Sequence, residues 1–387
     1  MLSEEIFFWA SVLLLSYTYL GYPALMYAWA ALRGRPHRKQ RIQPTVSVVV
    51  VAHNEATRVA QRLENLLSLD YPRCQLEILF ASDGSTDDTV ERAQAYRPGG
   101  IRVIAFNRRR GKPAVLNDIV PEARGDVVVL ADVRQQFEPG ALRALVAPFA
   151  DVHVGAVSGE LILNQNAKGT SVGAGVGFYW RYEKFIRRNE SLVDSTVGAT
   201  GAIYAIRKDL FKPIPEDTIV DDVWLPVQIV RRGYRVVFEP NARAYDGAAA
   251  TAAEEFTRKV RTIAGNFQLF ARELWLLSPI HNRLWFQTVS HKGLRLLTPL
   301  LLLTALCTNL LLLEEPIYRL AFIGQAGFYL AALGGHRLRN SGRKIPFLSF
   351  PYILCLMSCA TLIAFFRFAT GRQSVIWEKA TVQRQAI

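Results

Sequence analysis

Residues 6–32 run for 27 positions without an Asp, Glu, Lys or Arg. About 20 apolar residues in a helix suffice to cross the hydrocarbon of a bilayer, so this segment predicts a membrane-spanning helix. It is longer than the apolar stretch of a secretory leader and no small-x-small cleavage pattern follows it, so the helix is expected to be retained. Glu4 and Glu5 precede it, and Arg33, Arg35, Arg38, Lys39 and Arg41 follow. That asymmetry places the following segment in the cytoplasm. Three further apolar spans cover residues 296–313, 320–335 and 345–366. The first two are separated by Glu314-Glu315-Pro316, the last two by a basic loop over 336–344, and the tail (Arg367, Arg372, Lys379, Arg384) is basic again. Four full crossings would carry that tail outside, against the charge rule. Either one span turns back or the rule fails, and the sequence leaves both open.

Lys and Arg number 46 against 33 Asp and Glu, a net charge of +13. Basic flanks beside anionic lipid account for much of it. The central region mixes both signs instead of forming the basic stripe that nucleic-acid binding requires, so no nucleic-acid partner is expected. A hydrophobic share of 50% excludes disorder. Four cysteines (74, 307, 355, 359), three of them in apolar runs, are too few for a disulfide scaffold, and Cys355 and Cys359, four apart with no His nearby, read as packed apolar thiols.

The expected organisation is a membrane helix with its basic flank (1–41), one α/β domain (42–280), and an interfacial helix, membrane helices and tail (281–387). Residues 45–52 (Thr-Val-Ser-Val-Val-Val-Val-Ala) read as a buried strand, continuous and β-branched. Helical spacing over 58–69 follows, then a strand at 76–81, a helix at 86–96, a strand at 101–106, a helix at 112–123 and a strand at 126–130. This alternation predicts a parallel, doubly wound sheet with ligands beyond the carboxyl ends of its strands. Polar clusters fall at those ends: His53-Asn54-Glu55, Asp83-Gly84-Ser85-Thr86-Asp87, and Asp132. None matches a dinucleotide fingerprint or a phosphate loop. The competing reading of each acid is a helix cap. It suits Asp87 better than Asp83 or Asp132, which directly end apolar strands.

These motifs, with Gly111-Lys112-Pro113-Ala114-Val115-Leu116-Asn117 between them, resemble the nucleotide-binding half of a family 2 inverting glycosyltransferase of the GT-A fold. Val220-Asp221-Asp222 takes the place of that family's T-E-D motif. Arg258-Lys259-Val260-Arg261-Thr262 stands where the membrane-embedded synthases carry Q-x-x-R-W. A helix before the domain and a bundle after it are similar to the plan of cellulose, chitin, hyaluronan and poly-N-acetylglucosamine synthases. The resemblance implies a cytoplasmic α/β GT-A (Rossmann-like) domain flanked by transmembrane helices, in a multi-pass protein of the inner (plasma) membrane. The implied reaction moves a sugar, with inversion, from a UDP-sugar to a polysaccharide or glycolipid acceptor.

By the same resemblance His53, Glu55 and Asp83 hold the nucleotide base. Lys112, Asp132, Arg258 and Arg261 face the diphosphate, with Mg2+ or Mn2+ on Asp132. Asp222 is the general base beside Asp221, and Thr200, Gly201 and Trp180 line the acceptor site. The chain departs from the pattern in two places. Asp132-Val133-Arg134 lacks the second carboxylate of D-x-D, so either Asp132, diphosphate and water hold the metal, or Arg134 supplies the charge itself. Thr262 replaces the Trp of the acceptor platform, which favours the alternative that one sugar goes to a lipid-linked acceptor without polymerisation. An inactive membrane scaffold is the third reading.

Residues 284–297 look interfacial and amphipathic, and His291, with no second His or acid at metal spacing, reads as an interface residue. The spans offer few polar side chains, and Ser and Thr can bond to their own backbone. One protomer is therefore not expected to form a complete polar channel. A homo-oligomer, an export partner, or flipping of a lipid-linked product would complete the path.

Overall fold

The computed structural model describes residues 2–164, 171–247, 252–338 and 346–376. Helix α1 (Leu2–Ser16) passes through a π-helical turn at Tyr17–Gly21 into α2 (Tyr22–Arg33), making one helical run from Leu2 to Arg33. The domain then alternates β1 (Val46–Ala52), α3 (Ala56–Leu67), β2 (Leu76–Asp83), α4 (Thr89–Gln94), β3 (Ile101–Phe106), α5 (Lys112–Glu122) and β4 (Val127–Ala131). All seven residues of β1 are buried. Val48 and Val50 pack into the hydrophobic core on one face of the sheet, and Val49 and Val51 into the core on the other. A strand buried on both faces has no position for a polar side chain to reach water, which is why its sequence is apolar except for Ser47, whose hydroxyl donates to Glu77 Oε2 at 2.5 Å. Helix α4 is shorter than the spacing over 86–96 predicts. Asp87 Oδ1 accepts from Thr89 N at 3.1 Å and folds residues 87–89 into a local turn before the helix begins.

The second half departs from the expected parallel sheet. After β5 (Gln136–Phe137) and α6 (Ala141–Val146) come β6 (Val154–Asn164), α7 (Ser171–Val193), β7 (Ile203–Arg207), α8 (Asp221–Arg231) and β8 (Arg235–Gly247). The eight strands lie in the order β3-β2-β1-β4-β7-β6-β8-β5. β1 to β4 are parallel, but β7 is antiparallel to both β4 and β6. The sheet is therefore mixed. Chain order reverses between β1 and β4, and the crevice at that switch point is where an open α/β sheet binds ligands.

Helix α9 (Ala252–Arg272) leads out of the domain to α10 (Trp285–Gln287), a second π-helical turn at Thr288–Gly293, and α11 (Leu294–Leu311). The chain ends in α12 (Pro316–Arg337) and α13 (Pro346–Ala369). Three helical stretches are long and apolar enough to cross a membrane: Leu2–Arg33, Trp285–Leu311 and Phe347–Ala369. α12, which carries Arg319, Gln325 and Arg337, is not among them. Two of these candidate spans follow the domain, and the second packs back on α9. Ala360 and Ala364 of α13 pack on Val260, Ile263 and Ala264 of α9, with Phe267 between Phe365 and Phe368. Beyond α13, Val375 O accepts from Arg261 Nη2 at 3.2 Å. This answers the question of the tail as far as Ile376; Lys379 and Arg384 lie outside the described residues.

The four cysteines are free thiols. Cys359 is exposed instead of packed, which corrects the sequence reading for that residue; Cys74 and Cys307 are exposed as well, and Cys307 and Cys359 sit on outer faces of apolar helices. Several hydroxyls in the membrane helices bond to their own backbone. Thr18, Thr308, Ser358 and Thr361 each reach the carbonyl four residues back at 2.7–2.8 Å.

Candidate active site

Strand ends and the starts of two helices converge at the switch point. Lys112 opens α5 behind Gly111, whose φ of +95° suits the sharp entry. Its Nζ stands 3.0 Å from Asp132 Oδ1 at the end of β4 and 3.4 Å from Asp221 Oδ2 at the start of α8. Tyr204 OH on β7 donates to the same Asp221 oxygen at 3.3 Å. Burial alone would lower the Lys112 pKa, but Asp132, Asp221 and Asp222 outweigh it and raise it. Lys112 is thus a fixed cation among three carboxylates. The guanidinium of Arg261 on α9 feels the same three acids, while burial pulls its pKa down. Arg258, one turn earlier, lies 3.9 Å from Glu255.

Asp222 is held differently. Its Oδ2 accepts the backbone N–H of Gly201 at 3.0 Å, and its own carbonyl accepts from Ala199 N at 2.8 Å. Burial, then the neighbouring charge of Asp221, raise its pKa to about 6, against the pull of Lys112. A carboxylate tuned to that range suits a general base near neutral pH. Asp221 and Asp222 also begin α8, where negative charge meets the positive end of the helix dipole, so the capping reading and the chemical one coexist.

Gly201 is small for a reason. A Cβ there would stand 2.9 Å from Asp222 Oδ2. The carboxylate end can shift, so Gly201→Ala is expected to leave the melting temperature nearly unchanged. It should cost turnover by roughly ten- to a hundredfold, since a displacement of about 1 Å in a reacting group has that effect. Thermal melts beside steady-state rates on the purified variant check this.

The predicted base-binding residues form a second layer at the ends of β1 and β2. His53 Nδ1 lies 2.7 Å from the Asp83 carbonyl; a carbonyl only accepts, so Nδ1 carries the proton and Nε2 is left as the acceptor. Asp83 accepts Arg110 N at 2.7 Å on one oxygen and Gly111 N at 2.9 Å on the other, and so orients the loop that presents Lys112. Gly84, at φ +60°, lets the same loop pass close by, with Arg109 N only 2.3 Å from where its Cβ would be. Glu55 is buried and pairs with Arg58 Nη1 at 2.7 Å.

On the other side of Asp222, Thr200 N donates to Ser158 Oγ at 3.0 Å and Thr200 Oγ1 accepts from Arg187 Nη1 on α7. Trp180 lies on the same helix, with the Lys259 ammonium 5.3 Å from its ring centre and its indole N–H buried without a partner. The side chain of Phe178 lies outside the described residues.

Two arrangements went unseen in the sequence. Arg134, the residue in place of the second D-x-D carboxylate, lies 3.5 Å from Asp246 on β8, which also accepts from Gln135 Nε2 at 2.8 Å. Arg134 is therefore an ion-pair partner of Asp246. Asp246 falls near the end of a strand, as Asp83 and Asp132 do, and that position was the available signal. His291 is a correction. It is not an interface residue but is buried between two acids, with Nδ1 at 2.7 Å from Glu190 and Nε2 at 3.1 Å from Glu183. Both acids come from α7, about a hundred residues earlier, so no local spacing could reveal them.

No set of three His, Cys, Asp or Glu side chains among the described residues could hold a metal by itself. Asp132 nevertheless fits one. Lys112 takes Oδ1 only, a third of the side chain is exposed, and Mg2+ or Mn2+ is commonly bound by one or two carboxylates together with substrate phosphates.

The sheet thus ends in three carboxylates around a lysine, and comparison with known proteins gives the class. Residues 47–214 match the model of Glycosyl transferase family 2, and the chain carries a family 2 glycosyltransferase domain. It is 32% identical over 154 residues to the beta-monoglucosyldiacylglycerol synthase of Nostoc sp., covering 38% of this chain and 33% of that one. It is 24% identical over 238 residues to the poly-beta-1,6-N-acetyl-D-glucosamine synthase of Staphylococcus epidermidis, covering 59% and 56%. The match thus spans a third to just over half the length of these relatives. Among solved structures, a mannosyltransferase from Pyrobaculum calidifontis, in complex with GDP-Man and Mn2+, superposes with a TM-score of 0.71 at 22% identity, over 94% of this chain and 98% of the other. That likeness is one of fold.

Proposed function

We propose that this chain transfers a sugar, with inversion, from a UDP-sugar to a polysaccharide or glycolipid acceptor at the cytoplasmic face of the inner membrane. The observation that carries it is Asp222, a half-buried carboxylate with a pKa raised to about 6, fixed by Gly201 beside the cationic pole at Lys112. The base of the donor lies among His53, Glu55 and Asp83, and its diphosphate faces Lys112 and Arg261. Asp222 takes the proton of the acceptor hydroxyl as that oxygen attacks the anomeric carbon. The bond to the diphosphate breaks in the same displacement, and the nucleoside diphosphate leaves with the bonding electrons. Fixed positive charge aimed at that leaving group lowers the barrier most. A divalent ion, held by Asp132, would add Lewis-acid stabilisation of the diphosphate.

Addition of one sugar to a lipid-linked acceptor is the second reading, and Thr262 favours it. Its hydroxyl bonds back to Arg258 O of its own helix at 3.0 Å, so it offers the acceptor no aromatic platform. The self-satisfied hydroxyls of the membrane helices support the same view, since they leave little to line a channel for a polar polymer. Labelled donors, with products resolved by size, test both. One added sugar is the result this second reading expects, a ladder of sizes favours polymerisation, and no product contradicts transfer altogether.

A further inference from the structure

The roots of the membrane helices enclose a polar cluster that the transfer chemistry does not use. The two π-helical turns, Tyr17–Gly21 and Thr288–Gly293, face each other across α7: Tyr17 OH meets Ser290 Oγ at 2.8 Å, and Tyr182 OH donates to Tyr19 O at 2.9 Å. Such turns in a helix frequently mark functional sites. Trp180, Glu183, Arg187 and Glu190 follow at spacings of three and four along one stripe of α7. Glu190 Oε1 accepts from Tyr22 OH at 2.5 Å and takes His291 Nδ1; Glu183 takes His291 Nε2 and Arg295 Nη1.

The cations are not used up by these acids. Arg295 stacks 5.5 Å from the Tyr182 ring centre, and its Nε and Nη2 are buried with no hydrogen-bond partner. Among the described residues Arg187 bonds to a neutral hydroxyl, that of Thr200, and to no carboxylate. Lys292 stands within electrostatic range of Arg187, Arg295, Glu183 and Glu190. Arg187, Lys292 and Arg295 therefore meet two carboxylates that His291 already engages. A buried donor left unpaired is costly, and guanidinium donors fit phosphate oxygens in a fork. The cluster leads straight to the base: Arg187 holds Thr200, and the next residue, Gly201, holds Asp222.

We propose that Arg187, Lys292 and Arg295 form a subsite for a phosphate group carried by a lipid-linked acceptor. The inference rests on the transferase reading and deepens it by naming the acceptor's chemical class. The cations stand where membrane helices meet the domain, so a bound phosphate would sit at the bilayer surface. Its lipid tail would lie in the hydrocarbon and its sugar would reach toward Asp222.

Binding tests this on the full chain in detergent, with UDP saturating the donor site so that a phosphate cannot bind there. Calorimetry compares farnesyl phosphate, farnesol and inorganic phosphate. Farnesyl phosphate should bind at least tenfold tighter than either of the others. Lys292→Gln and Arg187→Gln should each remove several-fold of that advantage while leaving farnesol unchanged. Arg295→Lys, which keeps the charge and loses the fork, should weaken binding as well, and thermal melts confirm that each variant is folded. Equal binding of alcohol and phosphate overturns the proposal, as does unchanged affinity in folded Lys292→Gln and Arg187→Gln. Inorganic phosphate binding as tightly as the lipid also overturns it, by showing a plain anion site. Release of nucleoside diphosphate from sugar donors reads the transferase function separately. Release without selective lipid binding defeats only the subsite, and selective binding without release defeats the transfer reading.

Discussion

Asp222→Asn is expected to reduce turnover by roughly a hundredfold to ten-thousandfold while the donor still binds, because the amide keeps size and hydrogen bonding but cannot accept a proton. The prediction follows from position. Asp222 is held by Gly201 N–H, whereas Lys112 is tied to Asp132 and Asp221. Wild-type rates should also fall as pH drops through about 6, since burial and Asp221 raise the Asp222 pKa to that value and only the deprotonated form is a base. Above that pH the rate should level off. Single-turnover rates and donor affinity, measured on the same preparation across pH 5–8, check both statements. Near-normal turnover in the variant would remove Asp222 from the mechanism.

Lys112→Ala should have the second largest effect, roughly 10²–10³-fold in kcat, the usual consequence of deleting one preorganised group that stabilises charge in the transition state. It carries a second signature that a purely structural lysine would not produce. Lys112 lowers the Asp222 pKa, while burial, Asp221 and Asp132 raise it. With the lysine gone the opposing contributions stand alone, so the acidic limb of the pH–rate profile should move above about 6. A rate loss with an unmoved limb would show that Lys112 is remote from the base in solution.

The parts of this molecule that a reader of the sequence can recover are those with one local cause. β1 is legible because burial on both faces demands an apolar run, broken here only by Ser47, and the actual strand, Val46–Ala52, differs from the expected one by a single residue. Lys112, Asp132, Asp221 and Asp222 are legible because each sits at a strand end or helix start, where an α/β sheet places its ligands. The antiparallel insertion of β7 is not, because strand direction depends on how α7 returns the chain, and no periodicity encodes that. The Arg134–Asp246 pair and the clamp of His291 between Glu183 and Glu190 are contacts across 112, 108 and 101 residues. Each side chain alone reads as an ordinary surface or interface residue. Burial and pairing emerge only once α7 lies against the membrane helices. The tail fails for a related reason: charge counting compares loops, whereas the return of Val375 to Arg261 is a packing event.

The stereochemistry of transfer tests the central claim most directly. An α-linked nucleotide-sugar donor is supplied to the full-length enzyme with its acceptor, and the anomeric proton of the new linkage is followed by NMR from the first turnovers. A single displacement with Asp222 as the one base predicts a β linkage formed directly, absent in Asp222→Asn. An α-linked first product, or β product formed at the wild-type rate by the variant, would contradict it.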